Sequence, residues 1–218
     1  MLKSLRRVIQ YIFQNFFEHL TAVVVKVSVF GKENIPDVPG AIIVANHISY
    51  LDVPCLGWAF NERTLKMKWV VSKEIYGLWF MKWVYIIWDV IVLNGTIEKI
   101  KLALSQNRWV VIFPEGGERM CPPWLREEIR KKRSRRGAAI IALSTGVSVI
   151  PVGITGADKV LPMRSFRLNR RHKIVVRIGK PFSYKMVSDN DITDELVNQT
   201  KQEIIDRIYS LVENVPSD

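Results

Sequence analysis

A chain of 218 residues with 48% hydrophobic and 24% charged residues belongs with folded globular proteins and is long enough for one sizeable core, which excludes a disordered or fibrous class. The net charge of +11 calls for an anionic partner: nucleic acid, anionic lipid headgroups or a phosphorylated substrate. Two cysteines, Cys55 and Cys121, and three histidines, His19, His47 and His172, have no metal-ligand spacing, so neither a disulfide framework nor a metal site is expected. A reducing, cytoplasmic-side compartment fits this usage.

The first twenty residues have helical periodicity. Leu2, Leu5, Val8, Ile9, Ile12, Phe13, Phe16, Phe17 and Leu20 share one face, and Lys3, Arg6, Arg7, Gln10, Gln14 and Glu18 share the other. Bulky apolar residues opposite basic ones match an interfacial helix; a helix packed on its own core has the same pattern. The polar positions break any signal-peptide core. Leu20 to Phe30 is the best spanning candidate, but it is short and contains Lys26, so no transmembrane helix is expected. Gly31 to Gly40, with Pro36 and Pro39, reads as a linker. The expected division is therefore an N-terminal amphipathic segment, residues 1–30, and a single α/β domain, residues 31–218.

Beyond the linker, strands and helices alternate. Strands are expected at Ala41 to Ala45, Lys68 to Val71, Val90 to Leu93, Trp109 to Phe113, Val147 to Ile154 and Lys173 to Ile178. Helices are expected from near Tyr50 with Ser49 as cap, over Thr96 to Asn107, over Gly137 to Thr145, and over Asp191 to Glu213 with Ser188-x-x-Asp191 as a capping pattern. This alternation predicts an α/β fold with a mostly parallel or mixed central sheet flanked by helices.

Two strand ends carry chemistry. His47 follows the strand Ala41 to Ala45, where α/β folds place ligands. Asp52 lies five residues on, an offset that brings the two side chains together only if His47 sits in the loop and Asp52 in the first helical turn. A carboxylate so placed takes one imidazole N–H, fixes the tautomer and leaves the other nitrogen free to deprotonate a hydroxyl. No serine or cysteine nucleophile is then required if the substrate supplies the hydroxyl. On spacing alone such a pair is more often structural. The second strand end, Phe113-Pro114-Glu115-Gly116-Gly117, adds a carboxylate and two glycines that permit close backbone approach by a ligand. Parallel strands would bring both loops to one edge of the sheet.

The ordered set Asn46-His47-x-Ser49-x-x-Asp52, Phe113-Pro114-Glu115-Gly116 and Val149-Ile150-Pro151-Val152 resembles the glycerolipid acyltransferases, which include the 1-acylglycerol-3-phosphate acyltransferases. The resemblance runs from about Val29 to Phe182 and takes in Ser72-Lys73-Glu74, Gly137-Ala138-Ala139 and Gly153-x-x-Gly156. It implies that His47 is general base on the free hydroxyl of a lysophospholipid, that Asp52 orients it, and that acyl-CoA or acyl-carrier protein is the donor, with no cofactor or metal. It also implies substrate contacts from Asn46, Ser49, Lys73, Glu115, Gly116, Gly117 and Arg119. The expected setting is a membrane phospholipid surface, reached peripherally or monotopically from the cytoplasmic face.

Two departures from the family pattern bear on the acceptor. The stretch Asp89 to Gly95 lacks the arginine the family usually has after its third strand, and Gly117-Glu118 replaces Thr-Arg after Glu115-Gly116, with Arg119 one place late. Besides acylation of 1-acylglycerol-3-phosphate to phosphatidic acid, the same chemistry on another headgroup and a non-catalytic membrane-binding relative are therefore carried forward. The basic run Arg126 to Arg136 is either a solvated loop or a contact for anionic lipid or CoA phosphates. Nucleic acid is not expected, because no helix-turn-helix, zinc or base-stacking signature accompanies the charge.

Overall fold

The structure, a computed structural model, describes residues 2–77, 85, 90–93, 97–115, 136–162 and 167–213. Among these, seven strands form one sheet in the order β1-β7-β6-β2-β5-β3-β4. The strands are β1 (Val27–Phe30), β2 (Ala41–Ala45), β3 (Met67–Ser72), β4 (Val90–Leu93), β5 (Trp109–Ile112), β6 (Ser148–Thr155) and β7 (Ile174–Ile178). From β6 through β2, β5 and β3 to β4 every pairing is parallel. β7 turns antiparallel to β6, and β1 runs parallel to β7 at the edge. The expected mixed, mostly parallel sheet is the one observed.

Alternation along the strands explains the layers. In β2, Ala41, Ile43 and Ala45 face one cluster while Ile42 and Val44 face the other, as a period of two requires. The first cluster is covered by α1 (Leu2–Val24), α2 (Asp52–Ala59) and the short α6 (Ala157–Val160). The second is covered by α4 (Glu98–Ser105), α5 (Gly137–Thr145) and α7 (Asp194–Glu213). A one-turn helix, α3 (Lys73–Tyr76), follows β3 directly. The central strand β2 is buried over its whole length, which is why it reads as an unbroken apolar run rather than an alternating one.

Three expectations are revised. Residues 27–30, expected within the N-terminal amphipathic helical segment, form a sheet strand beside β7 instead. The stretch Gly31 to Gly40 is tied to the sheet: Asn34 Nδ2 donates to Ile178 O at 2.8 Å. Gly31 holds φ +80°, and a Cβ there would lie 2.1 Å from the same carbonyl, so only glycine fits. Ser188-x-x-Asp191 closes a 3-10 turn, with Asp191 N donating to Ser188 O, and the helix starts later, at Asp194. Its cap is Thr193, whose Oγ1 accepts from Leu196 N at 3.2 Å.

The first helix docks with a mixed face, on which Phe17 and Val24 pack against the first core cluster beside Gln14 and Glu18. Gln14 and Glu18 are buried against the domain, whereas Val8, Ile9, Ile12, Phe13, Phe16, Leu20 and Val23 are exposed, Phe16 at 59% and Val23 at 80%. Glu18 lies over Gly57 of α2, where a Cβ would come 2.0 Å from Oε1. His19 packs edge-on against Trp58 at 4.7 Å between ring centroids. The helix end is closed by Arg170, whose Nε donates to Val24 O. No described helix is long and apolar enough to cross a membrane.

Candidate functional site

β2 lies between β5 and β6, with Val44 beside both Ile112 and Pro151. The segments after β2 and β5 therefore leave the sheet at the same edge. β3, parallel to β5 with Trp69 beside Val111, brings Lys73 to that edge as well. Lys73 is exposed there.

The loop after β2 is built around one carboxylate. Asp52 is the first residue of α2 and is fully buried. Its Oδ2 accepts from His47 Nδ1 at 2.8 Å, from Ile48 N at 2.6 Å and from Ser49 N at 2.8 Å. Two backbone N–H groups and the imidazole thus converge on a single oxygen, which fixes the loop and the ring together. The geometry is the one the five-residue offset demands: His47 in the loop, Asp52 in the first turn. Donation from Nδ1 leaves Nε2 as the basic nitrogen, and among the described residues no protein hydrogen bond is made to it. The imidazole is 11% exposed, while the Asp52 side chain is sealed from solvent.

The ring is also held from below. Phe113 lies against His47 with centroids 4.0 Å apart and planes 14° from parallel, and Trp69 lies beyond it at 6.4 Å. β5 thus supplies the imidazole with an aromatic floor. The sequence motif singled out Phe113 only as the start of the Glu115 segment. The odd-numbered alternation Trp109, Val111, Phe113 toward the α2 face was the available signal.

The remaining expected contacts separate into groups. Asn46 and Ser49 are buried. Asn46 donates from Nδ2 to Ile154 O at 2.8 Å and accepts from Ile154 N at 2.7 Å, clamping the end of β2 to β6. Ser49 Oγ donates to Leu161 O at 3.0 Å and accepts from Leu51 N at 3.2 Å, so it shapes the turn into α2 rather than occupying its first turn as a simple cap. In this arrangement both side chains act on the loop that carries His47. Glu115 is half-buried, and its Oε1 accepts from the hydroxyl of Tyr209 in α7. Sequence reasoning had no means of finding Tyr209, which is 94 residues away. Gly116, Gly117 and Arg119 lie outside the described residues, as do the stretch 94–96 and all of the basic run except Arg136, which pairs with Asp194.

Cys55, one turn along α2 from Asp52, is buried, and burial followed by the charge of Asp52 pushes its thiol far above the ordinary range. A neutral buried thiol is not a nucleophile. Among the described residues no group of His, Cys, Asp and Glu is arranged to hold a metal ion.

The acyltransferase family model matches residues 26–155, more than half of the chain, and takes in both His47 and Glu115. The chain belongs to the acyltransferase family. Among its curated relatives, the chloroplastic 1-acyl-sn-glycerol-3-phosphate acyltransferase LPAT1 of Arabidopsis thaliana is 25% identical over 72% of this chain and 43% of its own length. A 1-acyl-sn-glycerol-3-phosphate acyltransferase of Chlamydomonas reinhardtii is 22% identical over 91% of this chain and 58% of its own. The chain therefore spans about half the length of the curated relatives it matches. In fold it is similar to the 1-acyl-sn-glycerophosphate acyltransferase PlsC of Thermotoga maritima, with TM-score 0.65 and 21% identity, covering 100% of this chain and 85% of that one. The acyltransferase fold thus accounts for the seven-stranded sheet, and His47 and Asp52 stand at its open edge.

Proposed function

We propose that this acyltransferase moves a fatty acyl group from acyl-CoA or acyl-carrier protein to the free hydroxyl of a lysophospholipid, 1-acylglycerol-3-phosphate, giving phosphatidic acid. The observation that carries the reading is the contact of His47 Nδ1 with the buried Asp52 at 2.8 Å. Nε2 takes the hydroxyl proton as the oxygen attacks the thioester carbonyl. A C–O bond forms, the tetrahedral adduct collapses, and the C–S bond breaks. The departing thiolate takes the proton from the imidazolium, which returns His47 to its starting state. Asp52 stabilises the imidazolium between these two transfers without being protonated. No acyl-enzyme is needed, in keeping with the inert state of Cys55. To Lys73, exposed at the same edge, we assign the anionic headgroup.

The reaction takes place at a membrane surface to which the protein binds peripherally, from the cytoplasmic face, through the outward apolar face of α1. Burying one large apolar side chain is worth about 1.5–3 kcal/mol, so the exposed row from Val8 to Val23 favours a lipid interface over water. The excess positive charge adds attraction to anionic lipid.

Purified protein given acyl-CoA and 1-acylglycerol-3-phosphate in mixed micelles should release free thiol, and His47→Ala should abolish the release. Undiminished release by that variant would sink the mechanism. A second reading changes only the acceptor, because the stretch Asp89 to Gly95 carries no arginine. A panel of lysolipids differing in headgroup separates the two.

A further inference from the structure

Tyr209 stands on α7, which covers the face of the sheet opposite α2, yet its hydroxyl donates to Oε1 of Glu115 at the sheet's open edge. The other carboxylate oxygen, Oε2, is buried and has no hydrogen-bond donor among the described residues. A buried carboxylate oxygen left without a donor is costly, so its retention needs a reason.

The position of Tyr209 is set by close packing. Ile204 and Ile208 of α7 are buried in the second core cluster. Leu211 sits on a floor of two glycines. A Cβ at Gly153 would lie 2.7 Å from Leu211 Cβ and 2.9 Å from its backbone carbon, and one at Gly179 would lie 2.9 Å from Leu211 Cδ1. The helix can approach β6 this closely only because those side chains are missing. Its last turns are thereby pressed over the C-terminal half of β6, the end at which β2 and β5 also finish.

We infer that Tyr209 is a positioning residue: it occupies Oε1 of Glu115 and so sets the rotation of the carboxylate that the acyl-transfer reading places against the lysolipid acceptor. The inference rests on the acyl-transfer reading and assigns the far layer of the fold a part in acceptor binding. Tyr209 touches no reacting atom, so its loss acts on acceptor affinity and leaves proton transfer by His47 alone.

The test is steady-state thiol release by the full chain, with lysolipid and acyl-CoA varied separately. Tyr209→Phe keeps the ring and removes the donor. It should raise the KM for the lysolipid about three- to tenfold and leave kcat and the KM for acyl-CoA within about twofold. Glu115→Ala should raise the same KM, and adding Tyr209→Phe to it should have no further effect. An unchanged lysolipid KM in Tyr209→Phe overturns the inference. So does a full additional loss in the double variant, which would assign Tyr209 to helix packing. Absence of thiol release by the parent protein with every lysolipid would overturn acyl transfer itself, and the substrate role with it.

Discussion

Phe113 lies flat beneath the imidazole of His47, 4.0 Å away and 14° from parallel, so the ring is held in its plane by an aromatic neighbour and in its rotation by Asp52. A ring contact of this kind is worth about 0.5–1.5 kcal/mol. Phe113→Leu should therefore lower kcat roughly two- to tenfold, while Phe113→Tyr, which keeps the ring, should stay near the parent rate. The comparison is made in the thiol-release assay at saturating lysolipid. Equal rates for the two variants would show that the stack contributes nothing to turnover.

Asp52→Asn tests the charge apart from the shape. The isostere can still occupy the buried site, but it no longer offers a carboxylate to the imidazolium. kcat should fall on the order of 10²–10⁴-fold, with lysolipid KM little changed, since Asp52 is sealed from the open edge. A loss confined to KM would remove Asp52 from the proton-transfer step.

Cys55 should be invisible to thiol reagents in the folded protein. In a Cys121→Ala background it is the remaining thiol, and it should react only after denaturation. The same shift has a consequence for stability. The ordinary thiol pKa is 9.0, and burial, then Asp52, raise it in the folded state. Above about pH 9 the unfolded chain releases a proton that the folded chain retains, so raising pH favours unfolding. Burial and the hydrogen bond to Glu203 shift Tyr184 in the same direction, which extends the loss to higher pH. Denaturant midpoints should therefore decline above pH 9, and less steeply in Cys55→Ala.

The exposed row on α1 gives a separable prediction. Phe13→Glu with Phe16→Glu should leave the fold intact, because both side chains already face outward. Sedimentation with anionic vesicles should drop strongly, while turnover of a soluble short-chain lysolipid stays near the parent value. Unchanged vesicle binding would place the membrane contact elsewhere.

Where a segment's fate depends on near neighbours, the sequence reading and the structure coincide. β2 and β4 occupy the expected residues, and so does the helix Gly137–Thr145. The His47–Asp52 contact follows from spacing plus helical geometry. What escaped depends on distant chain. Val27–Phe30 is a four-residue edge strand whose partner is β7, and nothing local distinguishes it from the end of an apolar helix. Amphipathicity divides α1 into two faces, but which residues turn inward depends on the fit to distant chain, as where Glu18 lies over Gly57 and His19 meets Trp58. Tyr209 carries no motif, because its role comes from where α7 crosses the sheet. Asn46 and Ser49 were conspicuous as polar residues beside His47, and their backbone partners, Ile154 and Leu161, became visible only once β6 and α6 were in place.

The attachment of α1 has a consequence for how the protein is made. Its anchor points, β7 for the strand that follows it and Arg170 for its last carbonyl, lie late in the chain, Arg170 being 146 residues beyond Val24. At about 5–20 residues per second, the helix leaves the ribosome on the order of ten seconds before those partners exist. The protein surface available earlier is α2, whose Gly57 lies under Glu18 and whose Trp58 packs on His19. Under the membrane-surface reading proposed above, the exposed apolar row is the part of the helix left for a bilayer while the later chain is still being made.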